Sequence, residues 1–131
     1  LYIENNVFSG PNAITYNDTN PFMLTDFTSY TSLKSKIDFE LLLDVAHLKV
    51  SSKSLGLDWE EEFHNMMGKS YYVHVSDNDG ITDSNNELLR DSELFHLLKE
   101  SPTENRDFTL EVYDGISALK NSYDVLSDAV S

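Results

Sequence analysis

FELLLDVAHLKV, residues 39–50, carries three consecutive leucines into Asp44, with His47 three positions further on. A run that is apolar on both faces is the pattern of a strand in a buried parallel sheet; a half-solvated strand alternates instead. This run ends on a charge, however, and a carboxylate closing a buried strand is unfavourable unless something pairs with it. The partner this predicts is a divalent metal, held by several strand ends of which Asp44 is one.

Working outward, LYIENN (residues 1–6) alternates Tyr2 and Glu4 on one side with Leu1, Ile3 and Asn5 on the other, in the period-two manner of a strand. VFSGPNAITYNDTNPF (7–22) is rich in Gly, Pro, Asn and Ser and reads as a long loop. Thr25 is the expected cap of a helix in DFTSYTSLKSKI, and AHLKVSSKSLG is expected to be a short helix closed by Gly56. In DWEEEFHNMMGKS, Asp58 caps a helix, Glu61 stands at the capping-box position and Gly68 ends it. Its acidic first turn reads as solvated and dipole-favoured, with Trp59 an anchor in interhelical packing.

YYVHVSD (71–77) is the third strand, followed by the polar loop NDGITDSNN, where Asp77 and Asp79 suit either turn chemistry or the lining of a site. Asp91 is expected to cap SELFHLLKE, and Pro102 closes that segment. DFTLEVYD (107–114) is the fourth strand, and Asp114 is the expected cap of a last helix with Ile116, Leu119, Tyr123 and Leu126 at helical spacing. Strict alternation of strand and helix with buried strands predicts a parallel α/β sheet in one domain spanning residues 1–131.

The composition fits that reading and narrows the function. With 131 residues, 40 % of them hydrophobic and 24 % charged, the chain can bury a real core. The net charge of −14, with Arg90 and Arg106 the only arginines, argues against nucleic acid, since phosphate neutralisation needs clustered cations. No apolar run approaches the ~20 residues that span a bilayer. The absence of cysteine removes disulfides and thiolate chemistry and is compatible with a cytoplasmic location, the expectation adopted.

Each strand ends on a residue able to bind a metal: Glu4, Asp44, His74 and Glu111. Strand parity puts these on the faces of Tyr2, Leu42, Tyr72 and Thr109. Functional groups of parallel α/β folds gather at the carboxyl ends of strands, so the four are expected to converge. Three carboxylates and one imidazole suit Mn²⁺ best, with Mg²⁺, Co²⁺ and Zn²⁺ as alternatives. Taken singly, each has a plainer role: Glu4 a solvated end, Asp44 a helix cap, His74 a buried ring bonded to a carbonyl. Glu111, between Leu110 and Val112, is the hardest to place without a partner. His64 and His96 read as packing or surface residues.

IENN, LLLDVAH, YYVHVSDNDG and LEVYDG resemble the last four strands of the xylose-isomerase-like TIM barrels, which include sugar (phosphate) isomerases and epimerases and endonuclease IV-type nucleases. The resemblance spans essentially the whole chain and implies the second half of a (β/α)₈ barrel. It also implies that Glu4, Asp44, His74 and Glu111 bind a divalent metal and that His47, the His of the DxxH motif, contacts substrate or a second metal. Many members carry an Asp-x-His pair after the third strand; here Asp83 matches the Asp, but Asn85 stands in place of the His. Where some epimerases of the family have a substrate-contacting Arg, this chain has Gly80 or a loop neighbour.

The expected activity is therefore metal-dependent isomerisation or epimerisation of a sugar or sugar phosphate through an enediolate. Glu4 and Glu111 serve as base and acid, and His47, Tyr2, Tyr72 and Asp83 meet the substrate. An endonuclease IV-like phosphodiesterase and a non-catalytic barrel fragment are the alternatives. Half a barrel leaves two strand edges open, so the expected partner is a missing N-terminal half-barrel or a second copy.

Overall fold

The computed structural model describes residues 1–131. Its elements follow in the order β1 (Tyr2–Glu4), α1 (Gly10–Thr15), α2 (Phe27–Lys34), β2 (Glu40–Asp44), α3 (Val45–Ser54), α4 (Trp59–Met67), β3 (Ser70–Val75), α5 (Glu93–Glu100), β4 (Asp107–Leu110) and α6 (Ile116–Val130). The four strands form one sheet in sequence order, and every pairing is parallel.

Period-two patterning divides the sheet into two unlike faces. Leu41, Leu43, Val73 and Val75 are fully buried, in one core with Leu48, Phe63, Met66 and Leu98 from the helices, and Ile3, Phe108 and Leu110 pack against it. The alternate residues are excluded from that core: Tyr2 is exposed, and Leu42, Tyr72 and Thr109 are half-buried. The three leucines of the opening stretch therefore do not mean burial on both faces. The helices cover one side, and Leu42 belongs to the other, open side with the strand-end polar groups.

Several local expectations need correction. The segment after β1 is not all loop: Ser9 caps α1, accepting from the Asn12 N–H at 3.2 Å, with Pro11 in its first turn. The cap of α2 is Asp26, not Thr25. For α5 it is Ser92 rather than Asp91, which instead takes a left-handed turn at φ 66°. Asp114 caps nothing in α6; its carboxylate accepts from the Glu87 N–H at 2.9 Å, tying the preceding loop down. Asp58 does cap α4, and Gly68 ends it. Glu62 in its acidic first turn is not merely solvated: it accepts from the Phe27 N–H at 2.7 Å and so satisfies an orphan donor of α2. No helix is long and apolar enough to cross a membrane.

Candidate metal centre

Strand ladder and parity bring the predicted residues to one end of the open face. Asp44 closes β2 and caps α3, accepting from the His47 N–H at 2.9 Å. The cap role and the site role are thus compatible: Oδ1 serves the helix, and Oδ2 lies 3.6 Å from His47 Nε2. Glu111 lies one residue past β4, yet its N–H still donates to the Val75 carbonyl at 3.0 Å, extending the ladder. His74 Nδ1 is 3.0 Å from Glu111 Oε1 and 4.0 Å from Glu4 Oε2. Two sets of potential ligand atoms, Glu4–Asp44–His47 and Asp44–His74–Glu111, each fall within 4.8 Å of one another and share Asp44.

The remaining predicted residues surround these. His47 Nε2 is 3.0 Å from Asp83 Oδ2, and His47 Nδ1 is 3.4 Å from Glu4 Oε1. Tyr72 stacks edge-on against His74 at 5.3 Å and against Tyr2 at 6.2 Å, and its hydroxyl is 3.3 Å from Thr109 Oγ1. Asp77 and Asp79 turn away: Asp77 pairs with Lys49 at 2.7 Å, and Asp79 accepts from the Ile81 and Thr82 N–H groups. His64 and His96 sit exposed on α4 and α5.

The electrostatics of the cluster are those of a site short of positive charge. Burial pushes the Asp44 carboxyl up from 3.8 to about 6; His47 opposes the rise, and Glu4 and Asp83 add to it. For His47, burial disfavours the charged ring, but Asp44, the Asn5 carbonyl, Asp83 and Glu4 together outweigh it and hold the ring above its ordinary value. No Lys or Arg pairs with Glu4, Asp44, Asp83 or Glu111. His74 Nδ1 is buried without a hydrogen-bond partner, its contact with Glu111 being misaligned, and Asp83 Oδ1 is likewise orphaned. Buried polar atoms are rarely left so, and an orphaned imidazole nitrogen among carboxylates is the donor set a divalent cation satisfies. The residues fit the metal.

Two asparagines hold this end together: Asn5, which the sequence reading passed over as a site residue, and Asn85, which it noted only as standing in place of a His. Asn5, just beyond β1, hydrogen-bonds the main chain of Asp44 through both ends of its carboxamide. Asn85 is committed to the main chain: its Nδ2 donates to the Glu111 carbonyl at 3.1 Å, and its main-chain carbonyl accepts from the Tyr113 N–H at 2.9 Å. A buried position and a φ of 51° are the structural marks of that role. Gly80 sits at φ 81°, a backbone conformation that L side chains rarely adopt, and a Cβ there would have to displace the Lys53 side chain.

No protein-family profile matches this chain, and no curated protein sequence does. Among solved structures, the crystal structure of a D-tagatose 3-epimerase-like protein matches with a TM-score of 0.68 at 14 % sequence identity. The match covers 96 % of this chain and 45 % of that one, so the chain spans less than half the length of its neighbour. The fold is accordingly a parallel (β/α)₄ half of a TIM barrel. The two-faced sheet fits that fold, because the corresponding face of a complete barrel is its interior, filled by layers of side chains.

Proposed function

We propose that this chain carries the metal centre of a divalent-metal-dependent isomerase or epimerase acting on a sugar or sugar phosphate. The observation that supports this reading is the pair of overlapping ligand sets, Glu4–Asp44–His47 and Asp44–His74–Glu111, which share Asp44 at the carboxyl end of the sheet beside the buried, unpartnered His74 Nδ1. Glu4, Asp44, His74 and Glu111 would hold the cation, Mn²⁺ by its tolerance of mixed oxygen and nitrogen donors. When bound, it supplies Lewis-acid stabilisation of the negative charge that develops as a hydroxy-ketone is deprotonated to its enediolate.

The chain's own groups move the protons. Glu4 and Glu111 stand on the two edge strands, so one carboxylate takes the proton from carbon and the other returns one, with no net redox change. His47 hydrogen-bonds a substrate hydroxyl beside Asp83, and Tyr2 and Tyr72 wall the space beneath. The remaining four β/α units would come from a first half-barrel or from a second copy of this chain. A ketose of the tagatose kind is the first substrate to try, from the name of the structural neighbour. A net charge of −14 disfavours the phosphodiesterase alternative.

The test is epimerisation of ketoses and their phosphates by the completed barrel. Activity should vanish in EDTA and return with Mn²⁺. Undiminished turnover in excess chelator would overturn the proposal.

A further inference from the structure

The two free edges of the sheet are unlike, and each carries what suits the other. No strand lies beyond β4, and α6, which packs on α5 and β4, turns a second apolar stripe outward there. Leu119, Tyr123, Leu126 and Val130 recur at spacings of four and three and, with Phe108 and Leu110 of β4, line a groove of about 560 Å³. Tyr123 is 65 % exposed on it. An apolar stripe beside an unpaired strand marks a surface made to be covered.

At the β1 edge, Glu62 of α4 holds the first turn of α2 through the Phe27 N–H. Another face of α2, with Ser29, Ser32, Leu33 and Lys36, joins Phe22 and Met23 around a groove of about 220 Å³. Residues 27–36 contain Lys34 and Lys36 and no carboxylate, whereas α6 carries Asp124 and Asp128 against Lys120. Lys34 and Asp128 already pair with Asp38 and Arg90. Lys36 and Asp124 are exposed and unpaired within the chain.

Four of eight strands are half of a barrel wall. A half-turn about the barrel axis carries one half onto the place of the other and keeps every strand running in the same direction. It sets the β4 edge of each copy against the β1 edge of the other, twice, so the ring closes with no edge left. The α2 helix of each copy then lies beside the partner's α6, and the two open faces, with Tyr2, Leu42 and Tyr72, become one interior.

We propose that two copies of this chain close one eight-stranded barrel through two identical β4–β1 seams, with α2 of each copy seated along the groove between β4 and α6 of the other. The occupant is a second copy rather than an unlike half because the chain's own edges complement each other, apolar groove with apolar groove and basic α2 with acidic α6. Its bearing on catalysis rests on the sugar-converting reading above; the seam rests on the fold alone. Each copy carries a net charge of −14, which opposes association and is screened by salt.

The chain has no cysteine, so Ser32→Cys in the α2 groove and Ser127→Cys in the α6 groove each introduce a unique thiol. The two variants, mixed and treated with a short thiol-to-thiol cross-linker at high salt, in EDTA and again with Mn²⁺, should give the mixed dimer. Either variant alone should stay uncross-linked, because the seams keep like positions on opposite sides of the barrel. Wild-type chain should sediment at twice the chain mass, and Tyr123→Asp should weaken the dimer roughly tenfold or more, as loss of an interface aromatic does, with an unchanged circular dichroism spectrum. Ser127→Cys that cross-links to itself would mean α6 stripes packed face to face and would overturn the proposal. So would a wild-type chain that stays monomeric at high salt both with and without Mn²⁺, a measurement that needs no variant to fold. A mixed dimer that binds no Mn²⁺ would leave the seam standing and defeat the function proposed above, and a monomer that binds Mn²⁺ would do the reverse.

Discussion

Asp44 of β2 stands directly across the parallel ladder from His74 of β3, so their side chains leave the sheet on the same face and at the same height. Glu4 and Glu111 are not on that rung. Glu4 pairs with Leu42, two residues before Asp44, while His74 pairs with Thr109, two residues before Glu111. The four groups therefore climb diagonally across the sheet. That is the stagger of tilted barrel strands, and it lets residues on successive strands reach a common point.

The two central members should matter most for binding a cation. His74→Ala is expected to weaken Mn²⁺ binding by more than the ~10–100-fold typical of losing an outer-shell partner, because it removes the nitrogen itself. Asn85→Ala, which removes the donor to the Glu111 carbonyl and leaves every ligating side chain in place, should fall within that range. Titration calorimetry of the two variants and the wild type checks the order.

In chelator, stability should depend on pH in a direction set by Asp44 and His47. Asp44 is raised from 3.8 to about 6, so between those values the folded state binds more protons than the unfolded state and stability falls as pH rises. The upper bound is about 3 kcal/mol, at ~1.4 kcal/mol per unit. His47 is also raised; its contribution is complete below the unfolded value and is lost as pH rises through the folded one, the same direction. Asp44→Asn should lose the carboxyl part of this dependence, and denaturant melts from pH 4 to 8 compare the two. A wild-type minus variant difference that does not change with pH would contradict the sign.

Glu62 joins two helices through one hydrogen bond to the Phe27 N–H. Replacing it with Ala should cost about 1 kcal/mol, the usual value of an N-terminal cap. Gln retains an acceptor and should cost a few tenths. Urea denaturation of both variants provides the comparison.

Protection against hydrogen exchange should follow the one-sided burial of the sheet. Amides of Leu43 and Val73, in the central strands and fully buried, should exchange only by global unfolding. Those of β1 and β4 should exchange faster in the isolated chain, because each strand has one unpaired edge, and should slow when the rest of the barrel is present. Leu43→Ala should destabilise by about 2–5 kcal/mol. Edge-strand protection that is already maximal in the monomeric chain would mean that those edges are covered by something else.

The alternation of strand and helix, the sheet direction and the metal-binding type of residue at each strand end were all legible in the sequence. These depend on local periodicity, and a period of two or of 3.6 is written in consecutive residues. Tertiary structure decided that Leu42 looks into an open face while Leu41 and Leu43 are buried, since three identical residues carry no mark of which side the helices cover. It also decided the diagonal register of the ligands and the parts played by Asn5 and Asn85. Asn5 reaches Asp44 across 39 positions and Asn85 reaches Glu111 across 26. Hydrogen bonds over such separations exist only once the chain has brought their partners together, so no neighbouring residue announces them.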